Sequence, residues 1–177
     1  MRVLRTIADV REALREPRRR GERIGLVPTM GALHDGHRAL LRAARAGSDV
    51  VVMSLFVNPA QFDDPADLER YPRDETADLQ AARAAATDIV FAPPVDELYP
   101  PMFDTWVDPG ALGRILEGAV RPGHFRGVAT VCTKLFGIVE PHRAWFGQKD
   151  AQQVAVIRRV VRDLDLDFTP SAWRHNM

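Results

Sequence analysis

The sequence has little cysteine, no excess of charge of either sign and no long apolar run. Cys132 is the only cysteine among 177 residues, so no internal disulfide can form and a reducing compartment is expected. Basic and acidic residues number 24 each, which leaves no net charge to attract nucleic acid or a membrane surface. No stretch approaches the roughly 20 apolar residues of a membrane span, and the first residues lack the apolar run of a signal peptide. We therefore expect a cytoplasmic protein that binds neither nucleic acid nor membranes.

Short apolar runs alternate with amphipathic helical patterns along the chain. The runs predict strands at 24–27, 50–57, 88–91 and 144–146, and the patterns predict helices at 7–15, 37–46, 74–86, 125–139 and 151–164. Pro17 is expected to end or disturb the first helix, and the first strand leads into Pro28. This alternation predicts an α/β fold, a Rossmann-like three-layer α/β/α domain with a parallel sheet. In such a sheet, ligands bind at the carboxyl ends of the strands.

The segment 28–37, Pro-Thr-Met-Gly-Ala-Leu-His-Asp-Gly-His, joins a predicted strand to a predicted helix. A helix N-terminus offers unpaired N–H groups and partial positive charge, which suit a phosphate. Gly31 and Gly36 allow ligand atoms to approach the backbone. His34 and His37 place two imidazoles on one face of the first helical turn, where they could stabilise an α-phosphate under attack. Capping groups or a metal-binding pair are the alternatives for two such histidines, and the glycines favour the phosphate.

Two amide side chains follow the most apolar predicted strand. Asn58 and Gln61 lie in the sequence Phe-Val-Asn-Pro-Ala-Gln-Phe at 56–62. Amides both donate and accept hydrogen bonds, which suits a small hydroxy-acid. An ordinary turn is the alternative, because Asn-Pro commonly begins one.

Two later segments carry further polar groups at the start of predicted helices. Segment 121–128, Arg-Pro-Gly-His-Phe-Arg-Gly-Val, has basic groups that could close over an anionic ligand, although a solvated loop explains them equally well. In the other segment, Lys149 could reach phosphate oxygens, and Asp150 could accept hydrogen bonds from ribose hydroxyls or cap the helix. Gln153 lies one helical turn beyond Asp150.

These segments together resemble the nucleotide-binding half of the pantothenate synthetase family. The resemblance rests on the motifs PTMGALHDGH at 28–37, FVNPAQF at 56–62, EGAVRPGHFRGV at 117–128 and FGQKD at 146–150. The HDGH end is similar to the His-x-Gly-His element of a wider nucleotidyl transferase superfamily (HIGH-motif type) that includes class I aminoacyl-tRNA synthetases. Gln148 stands where this family usually has glutamate.

The resemblance implies an ATP-dependent ligase that joins pantoate to β-alanine through a pantoyl-adenylate. It implies catalytic roles for His34, His37 and Lys149, and pantoate or β-alanine binding by Asn58, Gln61 and Gln153. Magnesium is expected with the ATP, and Asp78 is suggested as its ligand. The residues that the resemblance assigns to ATP are Met30, Gly31, Ala32, Leu33, His34, Asp35, Gly36, His37, Gly147, Gln148, Lys149 and Asp150.

The resemblance also sets limits on the chain. Residues 1–167 are expected to form the nucleotide- and pantoate-binding domain, and residues 168–177 do not match the family pattern. The family's Ser-Ser-Arg element and C-terminal lid domain are not in this sequence, so weak nucleotide binding and slow turnover are expected. A catalytically inactive domain that binds nucleotide or dimerises, and a different nucleotidyl transferase, are the alternatives. A homodimer is expected from the resemblance.

Overall fold

A six-stranded, all-parallel sheet forms the centre of the molecule in a computed structural model that describes residues 1–173. The strand order is β1-β4-β3-β2-β5-β6. The predicted α/β fold with a parallel sheet is therefore confirmed. The strands are β1 Arg2–Leu4, β2 Ile24–Thr29, β3 Val50–Leu55, β4 Ile89–Phe91, β5 Arg143–Gly147 and β6 Thr169–Trp173.

Helices cover both faces of this sheet. They are α1 Ile7–Arg19, α2 Asp35–Gly47, α3 Pro65–Arg70, α4 Glu75–Ala84, α5 Val95–Leu98, α6 Glu117–Val120, α7 His124–Val139 and α8 Ala151–Asp163, with 3₁₀ turns at Pro59–Gln61 and Gly110–Arg114. One apolar core contains α1, α7 and α8, and a second contains α2 and α4. Neighbouring β2 residues alternate between them, because Leu26 lies in the first core and Val27 in the second. Two cores on opposite faces make the three layers predicted from the sequence.

Neither proline ends its element, so the first helix and the first strand both run beyond their predicted bounds. Pro17 lies inside α1, which continues to Arg19. Because Pro17 sits in the last turn, its missing N–H removes a single bond near the end of the helix. Pro28 lies inside β2 and pairs with Ser54 of β3. The pairing of β2 with β5 involves only Gly25 and Leu26, so Pro28 lies where the sheet continues on one side alone.

The strand β6 lies beyond the predicted domain boundary at residue 167. It pairs in parallel with β5 from Thr169 to Trp173, and the Phe168 ring packs 4.4 Å from that of Phe136. An edge strand is only partly covered, so this segment needs no apolar run and gives a weak sequence signal. The domain thus extends through Trp173. The remaining residues of the expected tail, 174–177, lie outside the described residues.

The strand order changes direction between β2 and β5. From β2 the chain proceeds to β3 and β4 on one side of the sheet, and it later returns to β5 on the other side. Such a switch point opens a crevice at the carboxyl ends of the strands. The segments that follow β2, β3 and β5 therefore meet at one edge. Within residues 1–173, no helix has the length and apolar content needed to cross a membrane.

Candidate functional site

A cavity of about 1320 Å³ opens at this edge of the sheet. Its volume exceeds the roughly 300–1,000 Å³ of a typical small-molecule site, so it has room for more than one ligand. Leu33 and Asp35 do not line it: Leu33 packs against the second core, and Asp35 pairs with Arg38 at 2.8 Å. The residues predicted from the sequence that do line it are Met30, Gly31, Ala32, His34, Gly36, His37, Asn58, Gln61, Gly147, Gln148, Lys149, Asp150 and Gln153.

The two histidines stand at the start of α2 with their rings 4.2 Å apart. His34 is the N-cap, and its Nδ1 accepts a 3.0 Å hydrogen bond from the N–H of Gly36. The Nδ1 of His37 accepts a 3.4 Å bond from the N–H of His34. A neutral imidazole that accepts at Nδ1 carries its proton on Nε2. Both rings thus cap the helix and still present an Nε2–H donor.

The charge state of His37 fits this donor role. Burial is the largest cause that lowers the pKa of His37 from 6.5 to about 4, followed by the nearby His34 and Lys149. The ring is therefore neutral at neutral pH and donates through Nε2 without bringing a charge. Gly36 makes this arrangement possible, because a Cβ there would come within 2.7 Å of the His34 ring.

A buried carboxylate holds the loop that precedes α2. Asp78 of α4 is 4% exposed, and its two oxygens accept hydrogen bonds from the N–H groups of Ala32 at 3.0 Å and Leu33 at 2.8 Å. Gly31 has a φ of +91°, and a Cβ there would lie 2.7 Å from the Asp78 carboxylate. Asp78 thus supports the loop through both of its carboxylate oxygens, and its suggested role as a magnesium ligand stays a prediction. Among residues 1–173, no three histidine, cysteine, aspartate or glutamate side chains group together in a way that could hold a metal.

Asn58 is saturated by hydrogen bonds within the protein. Its Nδ2 donates to Gln61 Oε1 at 3.0 Å and to the Gly127 carbonyl at 3.2 Å. Its Oδ1 accepts from the Tyr99 hydroxyl at 2.8 Å and from the N–H of Ala60 at 3.3 Å. Two donors and two acceptor positions are all that an amide offers. Asn58 therefore has nothing left for a ligand, contrary to the direct binding role suggested from the sequence.

Gln61 is held at its backbone by α7 and the loop before it. Its carbonyl oxygen lies 2.9 Å from His124 Nδ1 and 3.3 Å from an Arg121 guanidinium nitrogen. Sequence reasoning left the segment 121–128 without a definite role, because its partner lies some 60 positions away in the chain. Arg121 and His124 also line the cavity, so this segment forms one of its walls.

The loop after β5 contributes the charged side of the cavity. Lys149 and Asp150 are exposed at the start of α8. Asp150 occupies the N-cap position, but its side chain makes no capping hydrogen bond. Asp150 lines the cavity, and Gln153 lies one turn further along. The N–H of Gln148 donates to the Trp173 carbonyl at 3.0 Å, which ties this loop to β6.

Gln152 is a structural residue that sequence reasoning missed. Its amide nitrogen donates to the carbonyls of Leu112 at 3.1 Å and Ile115 at 2.7 Å, and its oxygen accepts from the N–H of Glu117 at 3.0 Å. It therefore fastens the segment that leads into the wall at 121–128. The sequence singled out its neighbour Gln153, one helical turn beyond Asp150, and the structure adds this supporting role for Gln152.

The family model for pantoate-beta-alanine ligase matches residues 2–172. The chain belongs to that family. Among curated relatives it is similar to the pantothenate synthetases of Acetivibrio thermocellus, with 54% identity over 94% of this chain, and of Rhizobium meliloti, with 58% identity over 93%. The match to the family model through residue 172 also agrees with the domain extending past residue 167.

Solved structures of the family share the fold. A pantothenate synthetase from Thermus thermophilus superposes with a TM-score of 0.92 at 47% identity, covering 99% of this chain and 62% of its own. A pantoate-beta-alanine ligase from Francisella tularensis, in complex with beta-gamma ATP and beta-alanine, gives 0.94 at 36% identity and covers 100% of this chain and 68% of its own. The present chain spans 59% of the Acetivibrio relative's length.

Proposed function

We propose that the chain binds ATP and pantoate and supports ATP-dependent condensation of pantoate with β-alanine through a pantoyl-adenylate. The observation that carries this proposal is the cavity itself. It brings two imidazole donors, His34 and His37, together with Lys149 and the amides of Gln61 and Gln153. Membership of the pantoate–β-alanine ligase family supports the choice of substrates.

ATP is assigned to the side of the cavity formed by β2, β5 and the starts of α2 and α8. His34 and His37 would donate from Nε2 to the α-phosphate, where negative charge accumulates during attack. Lys149 would hold the phosphate tail as a point charge. Gly147 and Asp150 would contact the ribose, whose hydroxyls can donate to the Asp150 carboxylate.

Pantoate is assigned to the side formed by the 58–61 loop and α8. Gln61 and Gln153 would orient it so that its carboxylate lies in line with the α-phosphate. The carboxylate oxygen attacks phosphorus, and the bond to the bridging oxygen breaks to release pyrophosphate. The amine of β-alanine then attacks the acyl carbon, loses a proton and expels AMP. Fixed donors offset the repulsion between the two anions in the first step.

Magnesium is expected to accompany ATP and to neutralise phosphate charge. Asp78, whose carboxylate oxygens accept the hydrogen bonds from the loop, remains the residue suggested for it. A homodimer is proposed on the family resemblance alone, and a cytoplasmic location on the single cysteine, which favours a reducing compartment.

The test is pyrophosphate exchange, the return of labelled pyrophosphate into ATP, combined with calorimetric titration of ATP. Exchange is expected only when pantoate is present. Lys149→Ala should weaken ATP binding by about tenfold or more, since hydrogen bonds to charged groups contribute roughly 1.5–3 kcal/mol. Arg158→Ala, which removes an exposed charge of the same sign from the same helix α8, should bind ATP as the unaltered chain does.

Exchange that proceeds without pantoate would assign the site to a different nucleotidyl transfer. Pantoate-enhanced ATP binding without exchange would show an assembled site that lacks turnover. Equal loss of ATP affinity in both variants would contradict the role given to Lys149.

A further inference from the structure

The Gln61 amide lies at the pantoate side of the cavity. Its orientation is determined by the protein groups that contact it on the side away from the cavity. We infer that Asn58 and Tyr99 are positioning residues that turn Gln61 so that only its N–H donors face the ligand. This inference rests on the proposed function, because it names the group that the pantoate side of the cavity presents. It makes that position selective for an oxygen acceptor.

The orientation follows from two backbone groups that cannot exchange roles. The N–H of Ala60 can only donate, and it donates to Asn58 Oδ1 at 3.3 Å. The carbonyl of Gly127 can only accept, and it accepts from Asn58 Nδ2 at 3.2 Å. The two ends of an amide are nearly the same in shape, so such partners decide which end is oxygen. The Asn58 amide is therefore fixed in one orientation.

The fixed Asn58 then dictates the roles of its other two neighbours. Tyr99 meets Oδ1 at 2.8 Å, so its hydroxyl must donate. Gln61 meets Nδ2 at 3.0 Å, so it must present its oxygen there. The Nε2 of Gln61 donates to no group among residues 1–173 and is left for the cavity. The two backbone partners thus fix the orientation of Asn58. Asn58 in turn fixes Gln61, so that the N–H donors of Gln61 face the ligand position.

Packing makes this arrangement rigid. Asn58 is 1% exposed and Gln61 8%, so water cannot readily replace a lost partner. The Tyr99 ring lies edge-on to Phe103 at 5.0 Å and stacks on Trp106 at 6.3 Å. Burial raises the pKa of the Tyr99 phenol, so the hydroxyl keeps the proton that it donates.

The chemical consequence concerns which ligand atoms are accepted. A carboxylate or hydroxyl oxygen can accept a hydrogen bond from an N–H of Gln61, whereas a ligand with an N–H or ammonium group at that place meets donors only. A site that fixes donor direction rejects the mismatched ligand because buried donors are left unpaired. Pantoate, a hydroxy-acid, offers oxygen at every polar position.

The experiment uses Tyr99→Phe, which keeps the ring and removes the hydroxyl. Pantoate affinity in the presence of ATP and magnesium should fall roughly tenfold, the loss expected for one buried hydrogen bond. ATP affinity should be unchanged. Thr133→Val is the matched control: it removes a hydroxyl from α7 that bonds only to the Ala129 carbonyl at 2.8 Å, and pantoate affinity should not move.

Side-chain amide signals in ¹⁵N NMR give a readout that needs no ligand. The Asn58 and Gln61 pairs, identified by their disappearance in Asn58→Asp and Gln61→Glu, should both shift in Tyr99→Phe. Asn58→Asp should lose more pantoate affinity than Tyr99→Phe, since a carboxylate cannot donate to the Gln61 oxygen.

Unmoved amide signals with unchanged pantoate affinity in Tyr99→Phe would overturn the inference. An equal loss of ATP and pantoate affinity would do the same, because it would show only a general structural effect. If the unaltered chain binds no pantoate, the proposed substrate fails, and the amide signals alone still decide whether Tyr99 and Asn58 orient Gln61.

Discussion

At the scale of single residues, His34 and His37 at the start of α2 each combine two roles in one imidazole ring. Nδ1 completes the hydrogen bonding at the helix start, which leaves Nε2 for a ligand in the cavity that both residues line. The sequence offered capping and phosphate binding as alternatives for His34 and His37. The structure shows the capping directly and leaves room for phosphate, because the two nitrogens of one imidazole point in opposite directions.

The pKa of His37 gives a prediction about pH. Because the folded state holds this pKa near 4 and the ordinary value is 6.5, the unfolded chain takes up the proton first. The free energy of unfolding should therefore fall as pH decreases from about 6.5 to about 4. NMR titration of the His37 Cε1–H should show its midpoint well below pH 6.

Two variants test which neighbouring groups shift the pKa of His37. Lys149→Met removes a positive neighbour and should raise the midpoint, whereas Asp78→Asn removes the carboxylate that raises the pKa and should lower it. Bound ATP should also raise it, since phosphate favours the charged ring. A His37 midpoint near 6.5 in the free chain would contradict the buried environment described for the ring.

Sequence reasoning identified the cavity-lining residues better than it identified how they act. Residues within 30–37 and 147–153 were predicted because they lie in short contiguous motifs, whose residue types and spacing already indicate a ligand site. The roles of Asp78 and Asn58 depend on partners 45 and 69 positions away. No local pattern contains that information, so the sequence suggested ligand roles for both and did not predict that they support loops.

At the scale of elements, buried strands and amphipathic helices were predictable and edge strands were not. The strand β3 is apolar except for the buried Ser54, because both of its faces are covered. By contrast, β1 and β6 lie at the edges of the sheet, where partial exposure removes the apolar signal. The helix predicted at 74–86 is observed as α4, Glu75–Ala84, and Asp74 caps it by accepting a hydrogen bond from the N–H of Ala77.

Two glycines on α7 offer a matched test of helix packing. A Cβ at Gly127 would collide with the Ala60 carbonyl and the Gln61 backbone, whereas a Cβ at Gly137 meets nothing within 4 Å. Gly127→Ala should therefore lower the free energy of unfolding by about 1–3 kcal/mol and weaken pantoate binding. Gly137→Ala should raise it by about 0.5–1 kcal/mol.

Urea denaturation of both variants measures these changes. The same sign for the two substitutions would show that helix propensity dominates and that close contact between α7 and the 58–61 loop matters little.

At the scale of the whole molecule, the sheet order was the part that the sequence could not supply. Right-handed crossovers restrict the possible topologies, but the edge positions of β1 and β6 had no sequence signal. The position of β6 matters beyond the sheet, because the Trp173 carbonyl accepts from Gln148 and the indole lines the cavity.

Deleting residues 168–177 tests the extended domain. The deletion should lower the free energy of unfolding by more than about 2 kcal/mol, because it removes a paired strand and the Phe168 ring packed on Phe136. ATP affinity should fall as well. Trp173→Ala, which keeps the strand, should lose less stability. Urea denaturation that gives the same midpoint for the deletion and the full chain would return the boundary to residue 167.

The switch point between β2 and β5 has a consequence for synthesis on the ribosome. The histidines of α2 emerge early, and Lys149 emerges only after most of the domain has been translated. A nascent chain that has folded β2, β3 and β4 still lacks one side of the cavity in which we propose that ATP binds, so it has no complete site for the nucleotide. Any stabilisation by nucleotide is therefore reserved for chains translated through β5, and earlier intermediates depend on their own core packing.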